Sequence, residues 1–249
     1  MPSEPALRVE GVSLAHNTAG LDELVHAGEI VGLAGLDGHG QEAFLETLAG
    51  LRAPVGGRVL VRDGGTGYVE IDDFRHATRL GLAYLARDRR ANGIFPSLSI
   101  LDNFSMVTLG RDRRFGLISA RARRERFERY RERLSIVAPR GNKPITALSG
   151  GNQQKVLLAR WLAREPRILL LNDPTRGVDQ RTRETLYQAF RDLARQEGMA
   201  LVVLSSELEE IFRLCDRLLV FREQGLVATF SGADMNSSTV IAAMFGRVA

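Results

Sequence analysis

The chain has 249 residues, of which 44% are hydrophobic and 26% charged, as expected for a globular protein with length for one large domain. Its net charge of +4 comes almost entirely from arginines that are interleaved with glutamates, so nucleic acid is not expected as a partner. No apolar run has the ~18 residues of a membrane-spanning helix, no leader pattern opens the chain, and the lone Cys215 excludes an internal disulfide. We therefore expect a protein of the reducing cytoplasm.

The first part of the chain alternates between strand and helix signals. Residues 7–14 alternate apolar and polar side chains, which predicts a half-buried strand. A turn then leads into a buried strand at 30–34, a glycine-rich loop over 35–42 and a helix, which is the context of a phosphate-binding loop. Glycines and short β-rich runs over 55–69 predict a small antiparallel flap.

The second part repeats the alternation around a helical insert. A strand at 82–85 precedes a turn-rich stretch, and residues 97–147 are predicted to form a mostly helical subdomain, with a narrow apolar stripe along an exposed helix: Phe127, Tyr130 and Leu134. Further strands are predicted at 168–171, 200–204 and 218–221, with helices at 181–196 and 207–214. Residues 1–96 and 148–249 thus form the core of one α/β domain, a mostly parallel sheet with flanking helices.

The octet 148–155, Leu-Ser-Gly-Gly-Asn-Gln-Gln-Lys, stands before an apolar helical run. Ser149 offers a hydroxyl, Gly150 and Gly151 allow close backbone approach, and the following helix points free N–H groups at an anion. A serine N-cap with a glycine turn would have the same letters, so the octet alone leaves both interpretations open.

The order of motifs resembles the nucleotide-binding domain of ATP-binding-cassette (ABC) transporters over nearly the whole chain. The segments that carry the resemblance are 28–36, 93–100, 148–155, 173–179 and 205–208. They are most similar to the second cassette of bacterial monosaccharide importers. The resemblance implies a P-loop NTPase-like ABC cassette and a head-to-tail dimer in which ATP and Mg²⁺ lie between the phosphate loop of one cassette and the signature of the other.

The phosphate loop departs from the family's pattern. Gln41 stands where the lysine is expected and Glu42 where Ser or Thr is expected, which forfeits an attraction of roughly 4 kcal/mol at 4 Å and adds a carboxylate. Glu42 either repels phosphate or sits in the first helical turn and fills the anion site itself. The aligned loop positions that remain are Gly35, Gly38, His39 and Gly40, whose backbone N–H groups leave weak phosphate binding open.

Four further positions also lack the residue that the family uses to bind Mg²⁺ or to hydrolyse ATP. Asn172 replaces the aspartate that helps to hold Mg²⁺, and Asp173 replaces the catalytic glutamate with a side chain shorter by ~1.5 Å, where a misplacement of about 1 Å can cost a hundredfold in rate. Ser206 stands at the switch-histidine position and Arg87 at the Q-loop position. We expect ATP and Mg²⁺ to bind weakly or not at all at this chain's own site, and whether it is an enzyme by itself stays open.

The parts that a cassette lends to its partner are retained. They are Ser149, Gly150, Gly151 and Gln153 of the signature and Asp179 of the D-loop. This asymmetry predicts a heterodimer with a second cassette that holds ATP and Mg²⁺. The resemblance implies permease subunits as further partners, a periplasmic sugar-binding protein as an indirect one, and a place on the inner face of the bacterial membrane. The alternatives are a weakly active homodimeric ATPase, a non-transport regulatory protein of ABC fold and an ABC protein acting on nucleic acid.

Overall fold

The computed structural model describes residues 4–65, 67–114, 117–138 and 141–247. The strands in these ranges are β1 (Pro5–Ser13), β2 (Leu21–His26), β3 (Ile30–Gly35), β4 (Gly56–Arg62), β5 (Tyr68–Glu70), β6 (Leu82–Leu85), β7 (Arg113–Arg114), β8 (Leu117–Ile118), β9 (Ile168–Asn172), β10 (Ala200–Leu204), β11 (Arg217–Arg222) and β12 (Gly225–Ser231). The helices are α1 (Gln41–Leu48), α2 (Phe74–Arg79), α3 (Arg89–Asn92), α4 (Ile100–Ser105), α5 (Ala120–Arg133), α6 (Gly150–Leu162), α7 (Gln180–Arg195), α8 (Leu208–Leu214) and α9 (Ser237–Met244).

A six-stranded sheet has the order β12-β11-β3-β10-β9-β6. The pairs β11–β3, β3–β10 and β10–β9 are parallel, and β12 joins the edge antiparallel to β11. Strands β9 and β10 are buried at every residue, as expected for parallel strands covered on both faces. The predicted α/β fold with a mostly parallel sheet is therefore confirmed.

A second, four-stranded sheet is antiparallel and has the order β2-β1-β4-β5. The predicted flap at 55–69 is therefore larger than expected, because β4 and β5 extend a hairpin formed by β1 and β2. Strand β1 alternates buried and less buried positions, in line with its sequence pattern. Strand β2 was missed because its polar residues weaken the strand signal.

The chain divides into two compact units. The first comprises Met1–Tyr84, Arg167–Asp173 and Phe190–Ala249, and the second comprises Leu85–Pro166 and Pro174–Ala189. The first unit holds a continuous core in which the rings of Phe44 and Phe221 lie 5.1 Å apart. The predicted division into a core and a helical subdomain over 97–147 stays a prediction.

The predicted helix with the narrow apolar stripe is α5, and its inward-facing side also carries charged side chains. Phe127 of the predicted apolar stripe is buried and packs edge-on against Phe104 at 5.3 Å. Arg126 pairs with the fully buried carboxylate of Asp112 at 2.5 Å. The outer face is exposed, so α5 combines a solvated surface with inward-facing ion pairs. None of the helices in the described ranges is long and apolar enough to cross a membrane.

Candidate functional site

The glycine-rich loop between β3 and α1 is closed by the side chain of Gln41, the first residue of α1. Gln41 is 7% exposed, and its Nε2 donates to the carbonyl oxygens of Gly35 at 3.2 Å and Leu36 at 2.9 Å. A Cβ at Gly35 would lie 2.6 Å from Gln41 Oε1, which is buried and has no hydrogen-bond partner among the described residues. The amide therefore fills the inside of the loop and bonds to two of its carbonyls.

A second glutamine holds the same loop from the turn between β11 and β12. Gln224 donates from its Nε2 to Gly38 O at 2.5 Å and from its backbone N–H to His39 O at 2.9 Å. Gly40 has a φ of 113° as the N-cap of α1, and a Cβ there would lie 2.9 Å from Gln224 Cα. Glycine is thus required at 40 for both conformation and space. Sequence analysis missed Gln224 because it lies outside every motif.

A hydrogen bond joins the side chains of Glu42 and Asn172. Asn172 ends β9, is 1% exposed and donates from Nδ2 to Glu42 Oε1 at 2.8 Å and to Tyr84 Oη at 3.1 Å. Burial raises the pKa of Tyr84, the hydrogen bond from Asn172 opposes this, and the charges of Glu46 and Glu42 raise it further. The first turn of α1 and the end of β9 are therefore joined by an amide–carboxylate hydrogen bond.

A cleft of about 280 Å³ opens beside this loop in the first unit. Among the residues that line it are Gln41, two glutamates of α1, Glu42 and Glu46, and the basic Arg52. Carboxylates thus outnumber guanidinium groups there, the reverse of an electropositive phosphate cradle. Within the ranges that the structure describes, no group of three or more His, Cys, Asp and Glu side chains is placed to hold a metal ion.

The structure brings Asp173 and Ser206 together. Asp173 is 5% exposed with a φ of 46°, and its backbone N–H donates to Leu204 O at 2.8 Å. Its Oδ1 accepts a 2.6 Å hydrogen bond from the backbone N–H of Ser206. The carboxylate at the predicted catalytic position therefore caps the backbone that follows β10.

In the second unit, Ser149 is the exposed N-cap of the thirteen-residue helix α6. Its Oγ accepts from Asn152 N at 3.4 Å and from Asn152 Nδ2 at 3.0 Å. A Cβ at Gly151 would meet the side chain of Thr182 at 2.8 Å, and one at Gly150 would meet the tip of the Arg89 side chain, Nη2, at 2.5 Å, so a larger residue at 150 would have to displace that guanidinium. The side chains of Arg89 and Thr182 therefore pack on the two glycines at the start of α6, and the approach of a partner's nucleotide to this backbone stays a prediction.

Gln153 is turned inward, unlike Ser149. It is 9% exposed, and its Nε2 donates to Leu148 O at 3.1 Å and to Ile145 O at 3.4 Å. Its side chain therefore serves the turn that precedes α6, and its predicted contact with a partner's ATP stays a prediction.

The D-loop residue Asp179 is exposed and accepts from Thr182 N at 3.0 Å and Thr182 Oγ1 at 2.8 Å at the start of α7. These hydrogen bonds lower the pKa of Asp179. Arg87, at the predicted Q-loop position, is half-buried in the same unit. Sequence analysis missed Arg89, whose side chain lies against Gly150, because an arginine near a turn carries no recognisable motif.

Comparisons with known proteins show the family to which the chain belongs. The model of the ABC transporter family matches residues 19–176. A ribose import ATP-binding protein of Rhodopirellula baltica is 36% identical over 98% of this chain and 49% of its own length. A putative ribose/galactose/methyl galactoside import ATP-binding protein of Pseudomonas fluorescens is 39% identical over 95% of this chain and 44% of its own length.

Solved structures show the same fold. An ATP-binding cassette of an ABC transporter superposes with a TM-score of 0.80 at 15% identity, covering 97% of this chain and 99% of the other. A dimeric cassette in a post-hydrolysis state, bound to ADP and Pi, gives 0.76 at 22% identity over 90% and 98%. The chain spans about half the length of the curated relatives it matches. It has the ABC cassette fold and belongs to the ABC transporter family.

Proposed function

We propose that this chain is an ATP-binding subunit of a sugar-type ABC importer that lends its signature to a partner cassette while its own nucleotide site is degenerate. The observation that carries the proposal is the bond between Glu42 and Asn172 in a chain whose signature is intact. The names of its relatives, which are import proteins for ribose or galactose, suggest the class of cargo. The choice of sugar belongs to other subunits, since a cassette carries no cargo site.

The loss of nucleotide binding at the chain's own loop is supported by charge and by space. Backbone N–H groups favour an anion at the start of α1, but Glu42 in the first turn adds a carboxylate that would repel phosphate. Gln41 supplies no positive charge and occupies the loop interior, so phosphate has to displace two hydrogen bonds. We therefore propose that ATP binds weakly or not at all at this loop.

We propose in the same way that Mg²⁺ binds weakly or not at all at the metal position. Mg²⁺ needs oxygen ligands in near-ideal octahedral geometry, while the Asn172 atom that faces Glu42 is an N–H donor. The Oδ1 atom of Asn172 is buried without a partner among the described residues, so one neutral oxygen is left where the family uses an aspartate. No step of hydrolysis is assigned to this site.

The position of Asp173 supports a loss of hydrolysis in the same way. A general base has to reach the proton of the attacking water. The Oδ1 atom of Asp173 accepts from Ser206 N at 2.6 Å, and its side chain is one C–C bond shorter than a glutamate, which shortens its reach toward a water. The chain alone is accordingly expected to have little or no ATPase activity.

The signature could still act on a partner's nucleotide. The first turn of α6 presents N–H groups beside the exposed hydroxyl of Ser149, and donors of this kind stabilise charge that develops during phosphoryl transfer. ATP and Mg²⁺ are then held by a partner cassette with an intact phosphate loop. Permease subunits and, indirectly, a periplasmic sugar-binding protein complete the proposed assembly on the inner face of the membrane.

The deciding experiment compares two substitutions in the pair formed with a partner cassette. Ser149→Arg places a bulky side chain at the start of α6 and should abolish ATPase activity of the pair. Gln41→Ala, in the degenerate loop, should leave it nearly unchanged. Equal sensitivity at both positions would favour two working sites, as in the homodimeric alternative. A pair indifferent to Ser149→Arg would mean that the signature serves only as a helix cap.

A further inference from the structure

Arg89, the first residue of α3, lies between the signature turn and the segment that leads to the D-loop. Its Nη1 donates to Arg176 O at 2.8 Å and its Nη2 to Gly177 O at 3.5 Å. The same Nη2 would lie 2.5 Å from a Cβ at Gly150. All of these residues belong to the second unit.

The glycines around Arg89 leave room for its guanidinium. Gly177 has a φ of 65°, and a Cβ there would lie 3.6 Å from both terminal nitrogens of Arg89. The Cβ that glycine lacks at 150 would lie 2.5 Å from Arg89 Nη2 and 3.3 Å from Gly177 O, so the guanidinium and this carbonyl occupy the space beside Gly150. Two backbone segments, at residue 150 and at residues 176–177, thus both contact the planar guanidinium of Arg89.

We infer that Arg89 is a positioning residue: its guanidinium fixes the spacing between the signature turn at Gly150 and the backbone at 176–177 that leads into the D-loop. The inference rests on the proposed function, since both segments matter to catalysis only if they reach a partner's nucleotide. Lysine is a poor substitute, because a single ammonium lacks the planar fork that reaches two successive carbonyls. An error of about 1 Å in such a site can cost on the order of a hundredfold in rate.

Hydrogen exchange on the isolated chain tests the positioning without a partner. Arg89→Gln should raise amide exchange in peptides covering 148–154 and 175–182, while a peptide covering 200–204 stays protected and reports that the fold is intact. The matched control Arg90→Gln, at the exposed next residue of α3, should change neither peptide. Unchanged exchange at both segments in Arg89→Gln would overturn the inference.

Gly150→Ala provides a second route if Arg89→Gln destabilises the whole chain. The new Cβ displaces the guanidinium while arginine is retained, so the same two peptides should lose protection. The double variant should be no worse than either single one, because both remove the same contact. Additive effects would show that Gly150 and Arg89 act independently and would overturn the inference.

Kinetics of the assembled pair then separate this inference from the proposed function. Arg89→Gln should lower kcat by about 10- to 100-fold with KM nearly unchanged, and Arg89→Lys should not restore it. Full activity of Arg89→Lys would show that donation to the carbonyl oxygens of both Arg176 and Gly177 is not needed, and would overturn the inference. If Arg89→Gln raises amide exchange as expected but Ser149→Arg leaves the ATPase activity of the pair unchanged, the proposed function is wrong and the positioning role of Arg89 is supported. If Ser149→Arg abolishes activity while Arg89→Gln changes neither exchange nor kcat, the positioning fails alone.

Discussion

The hydrogen bond between Asn172 and Glu42 predicts that Asn172→Asp, the change that restores the family's aspartate, lowers the free energy of unfolding. The substitution replaces a donor with an oxygen at a position that is 1% exposed and 2.8 Å from Glu42 Oε1. Two charged carboxylates about 3 Å apart repel by roughly 5–6 kcal/mol at an effective dielectric of 20. Holding one of them protonated at pH 7 costs about 4 kcal/mol for an ordinary pKa near 4, at about 1.4 kcal/mol per unit. Protonation of one carboxyl group costs less than repulsion between two charged ones, so we expect the free energy of unfolding to fall by about 4 kcal/mol at pH 7.

The same reasoning fixes how the loss depends on pH. The proton shared by Glu42 and the carboxyl group introduced at position 172 has a higher pKa in the folded than in the unfolded chain, so the folded variant binds more protons near neutrality. Its stability therefore falls as pH rises above the unfolded pKa, and it recovers by about 1.4 kcal/mol per unit on going from pH 7 toward pH 5.

Urea unfolding followed by circular dichroism at pH 5, 6 and 7, in buffer without divalent cations, measures the effect. The matched control is the reciprocal swap, Asn172→Asp with Glu42→Gln, in which an amide faces a carboxylate again. It should restore stability to within about 1 kcal/mol and remove the pH dependence. A single variant as stable as the parent at pH 7, or equally destabilised at pH 5 and pH 7, would refute the reasoning.

Three further predictions concern binding, reactivity and docking. Calorimetric titration of the isolated chain should give an affinity for MgATP that is weaker than micromolar. The double variant Gln41→Lys with Glu42→Thr should recover MgATP binding, but its ATP turnover should stay below the usual enzymatic range of about 1–10² s⁻¹. Burial raises the pKa of the Cys215 thiol, so iodoacetamide should label the native chain near neutral pH far more slowly than the urea-unfolded chain; fast native labelling would contradict this. Reversing Arg124 and Arg129 on the exposed face of α5 to glutamate should weaken co-purification with permease subunits without lowering Tm, and undiminished co-purification would count against docking there.

The buried strands could be predicted from the sequence because their apolar runs are continuous. Predicted and observed bounds agree for β6 and β10, and β9 is one residue longer than predicted. Strand β12 was missed because it lies at the sheet edge and alternates partly buried with exposed residues. Helix α9 was missed because a short helix capped by Asn236 leaves only a weak period.

The departures at the candidate site could be identified from the motifs of the sequence, but the hydrogen bonds that these residues form could not. The sequence left open whether Glu42 repels phosphate or fills the anion site itself, and it gave no sign of the hydrogen bond that Glu42 accepts from Asn172. The contact of Gln224 with Gly38 joins residues that are 186 positions apart, and no local pattern encodes it. A rotamer is decided by neighbours that meet only in the folded chain.

The retained glycines of the signature are weaker support for donation to a partner than their sequence suggests. Gly151 is confined by the side chain of Thr182, and Gly150 lies against the tip of the Arg89 side chain, so packing gives a reason for glycine at 151 and a weaker one at 150. Ser149 is different, because it is exposed and its hydroxyl is replaceable as a helix cap by the carboxylate of aspartate. Ser149→Asp should therefore keep the start of α6 folded while it places a negative charge against a partner's phosphate. A pair that loses ATPase activity in this variant, with unchanged Tm, would separate donation from capping, and full activity would leave capping as the role of Ser149.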